Sequence, residues 1–308
     1  MLFNINGGKK MNMRFVGMTF GVSAALILTG CGNGEATENG SNESISEQLN
    51  YTITGIEPGA GVTGLAHQTV DEYENLAGWE LEESSTGGML TMLDQAIENE
   101  EPIVVTGWTP HWMFSEYDLK YLEDPKGTMG EVESIHTIAR LGFEEENPDA
   151  YQILDTFHWE VADMEAVMLE AQGSSFEEAS TNWVEANQEQ VDVWLEGTEQ
   201  VDGEEIEIVS TQWGTEKASS TVMKSVLEQQ GYEVTLTDID PAFLFEAIAN
   251  GEADASLSPW LPTTHASFYE KNKDEIVDLG ENLTGTRTGF VVPAYMDIDS
   301  IEDLELKE

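Results

Sequence analysis

Polar and apolar residues alternate from Tyr51 to Ile56 (YTITGI), the two-residue period of a half-buried strand. A glycine-rich turn, PGAGVTG, leads into LAHQTVDEY, whose apolar positions have helical spacing. WELEES reads as a second strand. GMLTMLDQAIENE is an amphipathic helix with Met89, Leu93, Ala96 and Ile97 on one face, and PIVVTGW is apolar enough for a central strand. The order recurs from Glu205. EIEIVSTQW is a strand that leads into GTEKASST, TVMKSVLEQQ is a helix closed by Gly231, YEVTLTDI is a strand, PAFLFEAIANGE a helix and ADASLSPW a strand.

The two passages match element for element. Ala96-Ile97-Glu98-Asn99 corresponds to Ala247-Ile248-Ala249-Asn250, and Trp108 and Pro110 correspond to Trp260 and Pro262. Two βαβαβ units predict an α/β protein of two lobes with mostly parallel sheets. Between them, SIHTIARLGF reads as a strand, and NPDAYQILDTF, VADMEAVMLEAQ and SFEEASTNWVEANQEQVDVWLEG read as helices, the last capped by Ser174 or Ser175. Met89, Met92, Met164 and Met168 have the spacing of core positions. TRTGFVVPAYM is a further strand and SIEDLELKE a short terminal helix. SIHTIARLGF and TRTGFVVPAYM each directly follow a repeat unit, which makes them candidate hinge strands between lobes.

A chain of 308 residues is long enough for two such lobes, and 40% hydrophobic content indicates a folded protein. Charge narrows the function classes. Sixty acids against twelve bases exclude nucleic acid as a partner, because phosphate contacts need clustered lysine and arginine. The acids are dispersed, as on a solvated surface suited to a saline or alkaline medium. The single cysteine, Cys31, follows a basic segment with Lys9, Lys10 and Arg14 and an apolar run from Phe15 to Leu28. The run is too short to span a bilayer comfortably. Leu28-Thr29-Gly30-Cys31 resembles the bacterial lipobox, so residues 1–30 are expected to be a lipoprotein signal peptide, with lipid attached to Cys31. Residues 31–50, rich in Gly, Asn, Ser and Glu, are expected to be a flexible tether.

Ligands of open α/β sheets bind beyond the carboxyl ends of the strands. Trp108 and Trp260 sit at that end of the third strand of each unit and Trp213 at the end of the first strand of the second unit. If the lobes face each other, three indoles share one cleft. Indole faces suit a quaternary ammonium, which has no N–H to donate and spreads its charge over methyl groups; each contact contributes roughly 0.5–2 kcal/mol. Gly59, Gly61 and Gly64 spell G-x-G-x-x-G between a strand and a helix, with Glu80 or Glu82 near the distance of a ribose contact. That leaves a dinucleotide-dependent enzyme open. The more general content of the turn is an anion site at a helix N-terminus. The histidines, at 67, 111, 136, 158 and 265, have no metal-type helix spacing, so no metal is expected.

The phrases ITGIEPGAG, VVTGWTPHWMF, YDLKYLEDPKG, ASLSPWLPTTH and GFVVPAYM with SIEDL resemble, in the same order, the glycine betaine-binding lipoproteins of bacterial ABC importers, the OpuAC type. The resemblance covers about residues 51–308. It implies the two-lobed periplasmic-binding-protein fold (type II), circularly permuted, with ligand in the inter-lobe cleft. One lobe would be 51–133 plus 286–308 and the other 134–285. By the same resemblance Trp108, Trp213 and Trp260 cage the trimethylammonium group. His265 and the backbone N–H groups of Gly61 and Val62 hold the carboxylate, and His111 and Trp112 support the Trp108 loop. It implies a monomeric, extracytoplasmic, lipid-anchored receptor without cofactor or catalysis, delivering glycine betaine or proline betaine to an ABC permease in osmoprotection. Choline and carnitine remain alternative ligands. Gly214 and Lys217 stand where the family pattern leads one to expect an acid and an apolar residue.

Overall fold

The computed structural model describes residues 43–308. The expectations for the signal peptide, for Cys31 and for the first part of the tether fall outside the described residues. The tether's last residues do not read as predicted. Ser44 and Glu47 form a capping box around α1 (Ile45–Gln48), and the Ser46 hydroxyl accepts the Glu305 N–H, so the folded part begins before Tyr51.

The first repeat unit consists of β1 (Thr52–Thr54), α2 (Gly61–Glu72), β2 (Glu80–Glu82), α3 (Thr86–Asn99) and β3 (Val105–Thr109). A short α4 (Met113–Glu116) and β4 (Leu119–Tyr121) follow. Next come β5 (Glu133–Arg140) and a helical stretch, α5 (Phe143–Glu146), α6 (Pro148–Thr156), α7 (Val161–Ala171), α8 (Phe176–Ala186) and α9 (Gln188–Trp194). The second unit is β6 (Glu205–Ser210), α10 (Gly214–Gln229), β7 (Glu233–Asp238), α11 (Pro241–Asn250) and β8 (Ala255–Ser256). The chain ends with β9 (Trp260–Leu261), α12 (Ala266–Asn272) and β10 (Ile276–Pro293).

The repeat survives in the sheet. In the order β2-β1-β3-β10-β5-β8-β6-β7 each unit places its first strand between its second and third. All pairings within the units are parallel. The antiparallel strands β10 and β5 lie between the two sets. β10 pairs with β5 from Ile276 to Thr286, then with β3 from Arg287 to Val291.

Several elements differ from the pattern in the sequence. β10 begins well before Thr286, because Gly280 and Gly285, both at positive φ, sit where its register against β5 slips and break the two-residue period. ADASLSPW is not one strand. Its antiparallel register against β5 changes by one residue between Ser256 and Trp260, across Leu257–Pro259, and Pro259 has no N–H for a ladder. Trp260 therefore stands in β9, not at the end of the third strand. The long helix after Ser175 breaks at Asn187, whose φ of −116° and ψ of 33° are not helical. Its cap is Ser175, which accepts the Glu178 N–H at 3.2 Å. The terminal helix is only a 3₁₀ turn at Ile301–Asp303. Met89, Met164 and Met168 are core residues, but Met92 is 37% exposed, one position from the buried Leu93.

Trp159, Trp183 and Trp194 pack with Phe157 among α6–α9, with ring centroids 4.9–5.9 Å apart. Burying such rings is worth several kcal/mol. These indoles serve packing, which leaves the remaining ones to be accounted for. No described helix is long and apolar enough to cross a membrane.

Candidate functional site

One cavity is lined by Trp108, Trp213 and Trp260, and also by Gly61, Val62 and His265. The three indoles are positioned by three different elements. Trp108 lies in β3, opposite Thr288 of β10, and is 5% exposed. His111 meets its ring edge-on at 4.7 Å, and His111 Nδ1 accepts the Met113 N–H at 3.1 Å. Burial pushes the pKa of His111 down to about 4, so the ring is neutral and acts as an apolar support. Trp112 also packs against His111, with ring centroids 5.4 Å apart.

Trp213 is the N-cap residue of α10, with extended backbone that turns its indole away from the helix. Its Nε1 donates to Thr86 Oγ1 at 3.1 Å and to Glu57 Oε2 at 3.4 Å, both in the first unit. Trp260 is 3% exposed and pairs with Ile135 of β5. Its Nε1 donates to Glu216 Oε1 at 2.7 Å. The Trp260 turn closes on itself. Trp260 N–H donates to His265 Nδ1 at 2.9 Å, and His265 N–H donates back to the Trp260 carbonyl at 2.9 Å. With Nδ1 accepting, the neutral ring carries its proton on Nε2. Burial lowers the pKa of His265 to about 4, so this N–H donor is kept at neutral pH without a positive charge.

The opposite wall is the start of α2. Ala60 provides no side-chain cap, and the N–H groups of Gly61 and Val62, first in the helix, have no intrahelical acceptor by construction. They carry the positive end of the helix dipole, which attracts an anion. Gly61 is required by contact. A Cβ there would lie 2.5 Å from both the carbonyl oxygen and Cγ2 of Thr264, and 3.0 Å from His265 Cδ2. Gly64 is different: an added Cβ would meet nothing within 4 Å. The close helix–strand packing that the third glycine of a dinucleotide fingerprint serves is thus absent at Gly64, and the Gly61 position is covered by the 264–265 turn.

The structure therefore brings all six predicted ligand residues to one cavity. Neither Gly214 nor Lys217 lines it; Lys217 points to Asp238 at 3.2 Å. Sequence reasoning missed Ile56, Ala60, Thr215, Glu216, Thr264 and Thr288, which complete the wall. Glu216 lies three residues after Trp213, but among sixty acids that spacing carries no signal. Burial raises its pKa, while hydrogen bonds from Thr215 and Trp260 oppose the rise. Glu57 is less buried. Burial raises it too, but the Thr86 N–H and hydroxyl and the Trp213 indole outweigh that and hold it below the usual carboxylate value. No group of three or more His, Cys, Asp or Glu residues suited to a metal occurs among the described residues.

The family model described as the substrate binding domain of ABC-type glycine betaine transport systems (OpuAC) matches residues 37–186 and 204–308. The glycine betaine/carnitine transport binding protein GbuC of Listeria monocytogenes serotype 1/2a (strain 10403S) is 42% identical over 293 residues, spanning 94% of this chain and 97% of the relative. Lactococcal OpuAC, solved closed and liganded with glycine betaine, is 53% identical, with a TM-score of 0.48 over 51% of this chain and 62% of that one. The glycine betaine/L-proline-binding protein ProX of Borrelia burgdorferi is 35% identical, with a TM-score of 0.48 over 49% of this chain and 58% of that one. Both alignments thus span less than two thirds of the solved chains.

Proposed function

Because this chain belongs to the OpuAC family, the substrate-binding domains of ABC-type glycine betaine transport systems, we propose that it captures glycine betaine in the cavity between its two repeat units. The family is a transport component and not an enzyme. The observation that carries the ligand assignment is the meeting of two chemically opposite poles in one small cavity. Three indoles line one part, and a helix N-terminus with a neutral imidazole donor lines the other. A zwitterion with a trimethylammonium group and a carboxylate fits both. The indoles of Trp108, Trp213 and Trp260 stabilise the methylated cation through cation–π and dispersion contacts. The N–H groups of Gly61 and Val62 and the Nε2–H of His265 hold the carboxylate.

Capture requires that the ligand enter, and the walls come from both units. The lobes we assign are 51–133 plus 286–308 and 134–285, a permuted arrangement. Two observations support this division: β5 begins at Glu133, and β10 changes partner from β5 to β3 at Thr286–Arg287. β5 and β10 would then act as the hinge strands. Lipid on Cys31 would tether a monomeric, extracytoplasmic receptor beside its permease. Cys31→Ala should release the protein from membranes.

Calorimetric titration with glycine betaine, proline betaine, carnitine and choline tests the ligand assignment. Glycine betaine is expected to bind most tightly. Carnitine is the second reading, since a relative matching 97% of its own length is a glycine betaine/carnitine binding protein. Choline binding as tightly as betaine would overturn the role given to the carboxylate pole.

A further inference from the structure

Two carboxylates behind the cavity have no part in the binding scheme above. Glu216, in the first turn of α10, is 3% exposed and lines the cavity. Both its oxygens are occupied by neutral donors, Oε1 by the Trp260 indole at 2.7 Å and Oε2 by the Thr215 hydroxyl at 2.5 Å. Among the described residues no lysine, arginine or histidine forms an ion pair with it. A buried carboxylate without a cationic partner is costly. Its placement makes sense if the counter-charge arrives with the ligand. Glu57 repeats the arrangement on the other side, where its Oε2 faces the Trp213 Nε1 at 3.4 Å. Two of the three indoles thus direct their N–H edge at an acid. A carboxylate on the N–H polarises the ring and strengthens the attraction of its face for a cation.

We propose that Glu216, assisted by Glu57, is a specificity-determining residue: it supplies the negative charge, paired by the ligand's cation on binding, that strengthens this cage's preference for a quaternary cation over an uncharged group of the same shape. The proposal rests on the reading that the ligand carries such a cation. It adds a full negative charge to the weaker cation–π attraction that the indole faces already exert on a methylated cation. At an effective dielectric near 20, a unit charge within about 10 Å changes affinity by more than about tenfold.

The probe is 3,3-dimethylbutanoate, which has the shape and carboxylate of glycine betaine but carbon in place of nitrogen. Wild type, Glu216→Gln, Glu216→Asp and Glu57→Gln are titrated with both compounds by tryptophan fluorescence, after thermal unfolding confirms that each variant is folded. In Glu216→Gln the amide oxygen still accepts from the Trp260 indole, the Thr215 hydroxyl can turn to accept from the amide NH2, and the charge is lost. Glu216→Gln is expected to weaken betaine at least tenfold and 3,3-dimethylbutanoate less than threefold. Glu216→Asp should bind betaine at least threefold more tightly than Glu216→Gln. If Glu216→Gln does not fold, Glu57→Gln decides, with betaine losing at least threefold more than the neutral compound. Equal losses for both ligands, or unchanged betaine affinity, would overturn the proposal. A wild-type protein that fails to bind betaine would instead overturn the ligand assignment itself.

Discussion

Gly61→Ala is the smallest change that tests how the cavity is closed. In an unobstructed helical position, alanine in place of glycine stabilises a protein by about 0.4–1 kcal/mol, because the unfolded chain loses freedom. At Gly61 the new methyl group would lie 2.5 Å from Thr264 Cγ2 and from the Thr264 carbonyl oxygen. An ordinary contact between carbon atoms begins near 3.5 Å, so the two walls must separate by about 1 Å. One neighbour is backbone and cannot rotate away. Overpacking of this kind costs about 1–3 kcal/mol, a factor of roughly 5 to 150 in an equilibrium constant. The contact joins α2 of the first unit to the 260–265 turn that follows the second. If the units part when ligand is absent, the cost falls on binding and not on folding. The expected result is betaine affinity at least fivefold weaker by calorimetry, with the melting temperature of the ligand-free protein unchanged or raised. Gly64→Ala is the control, since its methyl group meets nothing within 4 Å. It should raise the melting temperature by about 1–4 °C and leave affinity unchanged. Wild-type affinity in Gly61→Ala would refute both the contact and its role in closure.

Trp108→Ala, Trp213→Ala and Trp260→Ala should each weaken betaine more than tenfold by fluorescence or calorimetric titration, about 1.4 kcal/mol or more for a lost indole face; unchanged affinity in any two would remove the cage. His265→Ala should sharply weaken betaine but hardly affect choline, which has no carboxylate to lose, and equal losses for the two ligands would assign His265 to holding Trp260 alone. Stability should fall in acid through the buried histidines. His111 and His265 titrate near 4 when folded, but near 6.5 when unfolded. Their contribution is complete above pH 6.5 and is lost as pH falls toward 4, on the order of 3 kcal/mol each. Urea unfolding of wild type and His111→Gln at pH 7, 5.5 and 4.5 isolates the histidine from the acids; parallel curves would contradict the assigned burial.

Which parts of this molecule were legible in the sequence follows from the range of the interactions involved. The strands and helices of the two units are set by local periodicity, and the parallel order around β1 and β6 follows from their repetition. Trp108, Trp213 and Trp260 stood out because strand ends and a repeated Trp-x-Pro mark them before any contact is known. β10 was only half legible, since Gly280 and Gly285 interrupt its alternation while β5 supplies the pairing from more than a hundred residues away. The split into β8 and β9 depends on register against the same distant strand. Glu216 and Thr264 are long-range partners of Trp260 and Gly61. Nothing adjacent to them in the chain distinguishes them from solvated acids and hydroxyls elsewhere.

The two poles of the cavity divide between the two units in a way that bears on how binding and closure are linked. The first unit supplies Trp108 and the N–H groups of Gly61 and Val62; the second unit and the β9 turn that follows it supply Trp213, Trp260, His265 and Glu216. Each unit therefore offers part of a cation site and part of an anion site, and neither offers a whole one. A ligand can favour the closed arrangement only by binding it more tightly than the open one. Bound as proposed, glycine betaine would touch both halves with both of its charges, so its full set of contacts would exist only when the halves meet. Choline keeps the cation contacts and loses those to Gly61, Val62 and His265, so it would draw the units together with only part of that free energy. On this scheme selectivity for the zwitterion would arise from closure as much as from contact, because the same missing carboxylate would weaken both.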